Sequence, residues 1–164
     1  MRNVERSGSI HPQESVLIPL TFRQQEVFDY TALGLSVKKI MGITSGSVNQ
    51  HNRAILSAFR AYNMLQAIIK GVKTGNTDLD KATEGLDKND ILLKLSEDER
   101  EVLEIMTSND GEKNENEQIA SELHFSEGTI EIRVAGIVRK LGTNRTRAAL
   151  LYIAYKRENT LPSL

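Results

Sequence analysis

The chain of 164 residues contains no cysteine, which excludes disulfides and thiolate metal sites and fits a reducing compartment. It has no run of about 18 apolar residues, and its first residues hold no apolar signal core. A soluble protein that no standard signal exports is therefore expected, with the cytoplasm as its place. Catalytic patterns are missing too. No glycine-rich phosphate loop follows a strand, and no nucleophile elbow is present. His11, His51 and His124 lie too far apart in sequence to argue for a metal. The acidic middle lacks the apolar surroundings that tune a carboxylate pair, so solvation accounts for it better. The expectation is a protein that is not an enzyme and needs no cofactor. The formal net charge is only −1, which by itself points to no polyanion.

The distribution of that charge is more telling. Residues 1–70 carry eight Lys/Arg against four Asp/Glu, residues 71–118 six against fourteen, and residues 119–164 seven against four. Two basic segments flank an acidic one, and polyanion binding depends on local charge rather than the total. The chain also repeats itself. Leu20-Thr21-Phe22-Arg23-Gln24-Gln25-Glu26-Val27-Phe28 is answered 75 positions later by Leu95-Ser96-Glu97-Asp98-Glu99-Arg100-Glu101-Val102-Leu103. Ile43-Thr44-Ser45-Gly46-Ser47-Val48 is answered 82 positions later by Phe125-Ser126-Glu127-Gly128-Thr129-Ile130. Two copies at so long a period suggest two small domains rather than a solenoid.

The expected organisation is a flexible arm over 1–19, a first helix-turn-helix domain over 20–71, an acidic and partly helical linker over 72–94, a second domain over 95–158, and a tail over 159–164. Val16-Leu17-Ile18 is a candidate to dock on the first domain. Thr21 with Gln24, and Ser96 with Glu99, have the spacing of a capping box. In the first copy Val37 and Met41 share a helical face, Gly42-Ile43 turn the chain, and Ser45 or Thr44 caps a helix that buries Val48, Ile55 and Phe59. In the second, Ile119 and Leu123 share a face, Ser126 caps, and Ile130, Val134, Ile137 and Leu141 form the buried stripe. A helix end follows near Gly34, and Gly71 opens a turn-rich stretch. One polar helix is expected over 78–93, with Leu79, Ala82 and Leu86 on one side, and an acidic loop over 107–117. The closing segments around Met64, Leu65, Ile68 and Ile69 and around Leu150, Leu151 and Ile153 are apolar on more than one face. Each needs a second surface: the other copy, or a second chain in a homodimer.

Residues 119–149, IASELHFSEGTIEIRVAGIVRKLGTNRTRAA, resemble the LuxR-type (GerE-like) helix-turn-helix family, whose pattern runs Ile-Ala, Leu, Ser, Thr-Val, Lys-Leu-Gly, Asn-Arg and Ala at these spacings. Leu95-Ser96 and Arg100-Glu101-Val102-Leu103 resemble its opening helix. Leu20-Thr21, Arg23, Glu26-Val27, Gly34-Leu35-Ser36, Ser47-Val48, His51 and Gln66-Ala67 match it in the first copy, with about three residues missing around the first turn. The resemblance implies an all-α fold of two four-helix domains in tandem, arranged as an internal pseudo-dimer. It implies that the third helix of each enters the major groove and that the fourth dimerises. The DNA contacts it implies are Ser47, Asn49, Gln50, His51 and Arg53 in the first copy. The matching positions in the second are Thr129, Glu131, Ile132, Arg133 and Ala135, with Arg139, Lys140, Arg145 and Arg147 for the phosphate backbone. Asn and Gln can bond adenine edges and Arg can read guanine. Glu131 departs from the family, which places a basic residue there.

The function expected is a DNA-binding, bacterial-type transcriptional regulator whose tandem units contact paired half-sites on double-stranded DNA. The rival is a protein-binding antagonist that pairs with a LuxR-type regulator and keeps it off DNA, which Glu131, Ile132 and the acidic middle favour. A third reading, a subunit that works with RNA polymerase, predicts co-purification with that enzyme.

Overall fold

A computed structural model describes residues 19–108 and 115–160, so the expected docking of residues 16–18, most of the 107–117 loop and the end of the tail lie outside the described residues. Ten helices and no strand are found among the described residues. The order is α1 (Phe22–Ala32), α2 (Val37–Met41), α3 (Ser45–Phe59), α4 (Met64–Thr74), α5 (Leu79–Ala82), α6 (Asp90–Lys94), α7 (Glu97–Ser108), α8 (Glu115–Leu123), α9 (Glu127–Leu141) and α10 (Arg145–Thr160).

Local chemistry explains where these helices begin. The Thr21 hydroxyl accepts from the Gln24 amide while the Thr21 amide donates to the Gln24 side chain, a closed capping box. Ser96 and Glu99 form the same reciprocal pair before α7. Of the two candidate caps for α3 it is Thr44 that serves, accepting from the Ser47 amide at 3.1 Å. Ser126 does the same for Thr129 at 3.2 Å. Asn63 accepts from the Gln66 amide at the start of α4, and Asn144 from the Arg147 amide at the start of α10.

Two apolar clusters form the interior. One gathers Val27, Phe28, Val37, Ile55, Phe59, Ile68 and Val72, with the rings of Phe28 and Phe59 stacked at 5.0 Å. The other gathers Ile91, Val102, Leu103, Ile119, Ile130, Ile137 and Leu151. The closing helices cross between them. Leu65 and Ile69 of α4 belong to the second cluster, Leu150 and Ala154 of α10 belong to the first, and Ile153 packs against both. The side chains expected to seek a second surface therefore find it within the chain. Each fully buried Leu or Ile contributes about 1.5–3 kcal/mol, so the two halves are held as one body.

The region between the halves differs from expectation. The polar helix over 78–93 is two short helices, α5 and α6. Gly85 between them has φ +80, and the Asp87 carboxylate accepts from the Asn89 amide in a local turn. This segment is no solvated tether: Leu79, Ala82, Ile91 and Leu95 are buried. Nor does Gly71 start a turn. It lies inside α4, where an added Cβ would meet the Thr77 hydroxyl and the Phe28 ring at 2.6–2.7 Å. Close approach, not positive φ, calls for glycine there. Thr107, Ser108 and residues 115–117, expected in a loop, are helical.

Candidate nucleic-acid interface

On α3 the outward register is Gly46, Asn49, Gln50, Arg53 and Ser57, all exposed. Ser47 and His51 are half-buried at its flanks, while Ile55 and Phe59 turn inward. The carboxamides of Asn49 and Gln50 and the guanidinium of Arg53 thus stand together on one face of a helix fixed from behind. Lys38 and Lys39 of α2 are exposed as well. Residues 30–77 contain no Asp or Glu but six cations, Lys38, Lys39, Arg53, Arg60, Lys70 and Lys73. Lys70 is spent at the C-terminal end of α3, where its ammonium donates to the carbonyls of Phe59 and Arg60, the end at which a helix dipole favours positive charge. Sequence reasoning passed over Lys38 and Lys39, although the acid-free run pointed to them.

On α9 the same register holds Gly128, Glu131, Ile132, Ala135 and Arg139, again all exposed. Ile132 is 75% exposed, and Glu127 and Glu131 put negative charge beside it. Thr129 is half-buried with its hydroxyl 2.9 Å from that of Ser126. Arg133 lies across the Phe125 ring, 4.4 Å from its centre, with Asp98 at 3.4 Å.

The backbone-contact candidates of the second half separate into two kinds. Arg139 is exposed. The others already serve the fold. Lys140 pairs with Glu99 at 2.7 Å. Arg145 is half-buried and donates to the Asn116 side chain at 2.8 Å. Arg147 donates to the carbonyls of Ala82 and Glu84 at 2.9 and 2.5 Å, which ties α10 to the turn after α5. Two of the five N–H donors of Arg147 are used this way, so it acts as a structural tie whatever else it contacts. The signal that sequence reasoning lacked was the position of that turn.

Two carboxylates of α7 are anchored by other helices, Glu99 by Lys140 of α9 and Glu104 by Tyr152 and Lys156 of α10. Burial pushes Glu99 up, but hydrogen bonds from Lys140 and Ser96 outweigh it, and its pKa falls below the ordinary value. Glu104 is also held low, first by hydrogen bonds from Lys156 and then from the Tyr152 hydroxyl. The Tyr152 phenol is pushed well above its usual range by burial and by Glu104.

Residues 93–153 match the family described as GerE, bacterial regulatory proteins of the luxR family. The matched segment takes in α7, α8, α9 and most of α10 and leaves residues 20–71 outside it. That segment is similar to LuxR-type helix-turn-helix domains, whose family comprises DNA-binding transcriptional regulators. No curated protein and no solved structure matches the chain. Among the described residues no helix is long and apolar enough to cross a membrane.

Proposed function

We propose that the chain regulates transcription by binding DNA through two helix-turn-helix units of unequal chemistry. Residues 20–71 form the first unit, whose α3 reads base edges with Asn49, Gln50 and Arg53, flanked by Ser47 and His51. Residues 95–158 form the second, whose Thr129, Arg133 and Arg139 add contacts to the sugar-phosphate backbone. The observation that carries this reading is the exposed Asn49–Gln50–Arg53 face in a stretch free of acids. Amide and guanidinium groups can enter the major groove there without desolvating a carboxylate beside the phosphates. Fusion of the units through α4 and α10 fixes the spacing of their contacts, which suits paired half-sites about 10–10.5 base pairs apart. It also makes the second contact intramolecular.

The test is selection of bound duplexes from a random pool, with the intact chain and with Asn49, Gln50 and Arg53 changed together to Ala. The intact chain should enrich one asymmetric motif, with affinity falling steeply against log salt. The triple variant should lose the motif. Enrichment of nothing by the intact chain moves the assignment to the second reading, an antagonist that seats on a partner regulator. That reading draws on Ile132 and on Leu92 and Leu93 of α6, all more than half exposed.

A further inference from the structure

Two short helices far apart in the chain are built alike and sit among opposite charges. α2 packs on α1 and α3 with Val37 buried, and leaves Lys38, Lys39 and Ile40 exposed. α6 packs on α9 and α10 with Ile91 buried, and leaves Leu92, Leu93 and Lys94 exposed. Leu92 is 53% and Leu93 79% exposed, while Ile40 and Leu35, just before α2, are each 46% exposed. An isolated apolar residue on a surface needs no partner, but adjacent ones rimmed by charge have the composition of a contact site. The rims are complementary. Near α6, Lys88 is neutralised by Glu158 at 2.6 Å and Lys94 by Asp90 at 3.0 Å. Glu84, Asp87 and Glu97 are exposed and form no ion pair among the described residues, and they outnumber Lys81. Around α2 the sign is reversed. Lys38 and Lys39 likewise form no ion pair among the described residues, and no Asp or Glu occurs between positions 30 and 77.

We infer that α6 of one copy seats on α2 of a second copy, with Leu92 and Leu93 against Leu35 and Ile40 and the carboxylates beside Lys38 and Lys39. The apolar pairs supply the attraction, and the opposite charges select register and partner. The two faces differ, so each can be disabled without touching the other. The patch is small, so the contact belongs with weak interfaces and forms as concentration rises. α2 packs on α3, so a copy seated there stands beside Asn49, Gln50 and Arg53 and competes with a duplex. That consequence alone rests on the DNA-binding reading.

The test is sedimentation velocity of the full chain without DNA, over about a hundredfold range of concentration up to about 1 mM. The intact chain should show a mean sedimentation coefficient that rises with concentration. Leu92→Ser with Leu93→Ser disables α6, and Lys38→Glu with Lys39→Glu disables α2. All four positions are exposed, so thermal midpoints should stay close to that of the intact chain. Each variant alone should remain at the monomer value, its affinity for itself down at least about tenfold. Mixed in equal amounts, the two should form a dimer that grows no further, because one intact α2 meets one intact α6. An intact chain whose coefficient stays flat, a variant that associates as the intact chain does, or a mixture that stays monomeric would each overturn the inference.

Discussion

Helices α3 and α9 share much of what faces inward and differ at most of the positions that face outward. Both span 15 residues, and a hydroxyl caps each by accepting from the amide three residues on. Ile55 and Ile137 are both buried, as are Phe59 and Leu141. The exposed positions correspond one to one at an offset of 82, yet Asn49 faces Glu131 in that alignment, Gln50 faces Ile132, and Arg53 faces Ala135. The half that matches the family carries the face less suited to a polyanion. The half outside the match carries the face better suited to it. Family likeness here resides in caps, turns and core, which fix the scaffold, while the chemistry that touches a partner has diverged on the outside.

Exchanging the two faces tests this comparison most severely. Asn49→Glu, Gln50→Ile and Arg53→Ala together give α3 the α9 chemistry, and should lower affinity for the selected duplex by at least about 100-fold, since each lost bidentate contact is worth about 1–3 kcal/mol. The reverse exchange, Glu131→Asn, Ile132→Gln and Ala135→Arg, should raise affinity and shift preference towards a symmetric site. Fluorescence anisotropy over a salt series reads both. If the first exchange leaves affinity unchanged and the second does not alter preference, the division of labour between the helices is wrong.

A smaller effect separates two arginines that look equivalent in sequence. Arg147→Ala strands the carbonyls of Ala82 and Glu84 and should cost about 1–3 kcal/mol of stability, measured as a lower urea midpoint. Arg139→Ala, on an exposed face, should leave stability within about 0.5 kcal/mol and instead flatten the salt dependence of DNA binding. A reversed pattern would make Arg147 an interface contact rather than a tie.

What could be read in advance followed from local rules. Caps at Thr21, Ser96 and Ser126, the turn at Gly42, and the inward stripes of α3 and α9 are set by residues near in sequence, and each stands where spacing placed it. The outward position of Asn49, Gln50 and Arg53 follows from the same periodicity. The fate of residues 72–94 did not. Their charges pointed to an acidic, partly helical linker with Leu79, Ala82 and Leu86 on one side, whereas Leu79, Ala82 and Ile91 are buried and find their partners only across the tertiary fold. Arg147 and Lys140 eluded sequence reasoning for the same reason, since their partners lie 65 and 41 residues away. Periodicity shows which face is inside; it does not show which outside cation a distant carbonyl or carboxylate will claim.

The subtlest comparison lies in the backbone. Position 42 and its counterpart 124 are both left-handed, with φ +62 at Gly42 and +58 at His124. Position 60 and its counterpart 142 are left-handed as well, with φ +49 at Arg60 and +63 at Gly142. At these two paired positions each half places glycine once and an ordinary residue once. An L side chain costs about 1–2 kcal/mol in that region, partly offset because glycine makes the unfolded chain more flexible. His124→Gly and Arg60→Gly should therefore each stabilise by about 0.5–1 kcal/mol, and Gly42→Ala and Gly142→Ala should each destabilise by about 1 kcal/mol. No atom lies within 4 Å of a Cβ added at either glycine, so conformation rather than crowding sets the sign. Thermal midpoints should move by about 2–4 °C per kcal/mol, upward for the first pair and downward for the second. If His124→Gly or Arg60→Gly lowers the midpoint, that side chain contributes more by its contacts than its turn costs, and the two halves differ in how they hold the turn as well as in what they present outside.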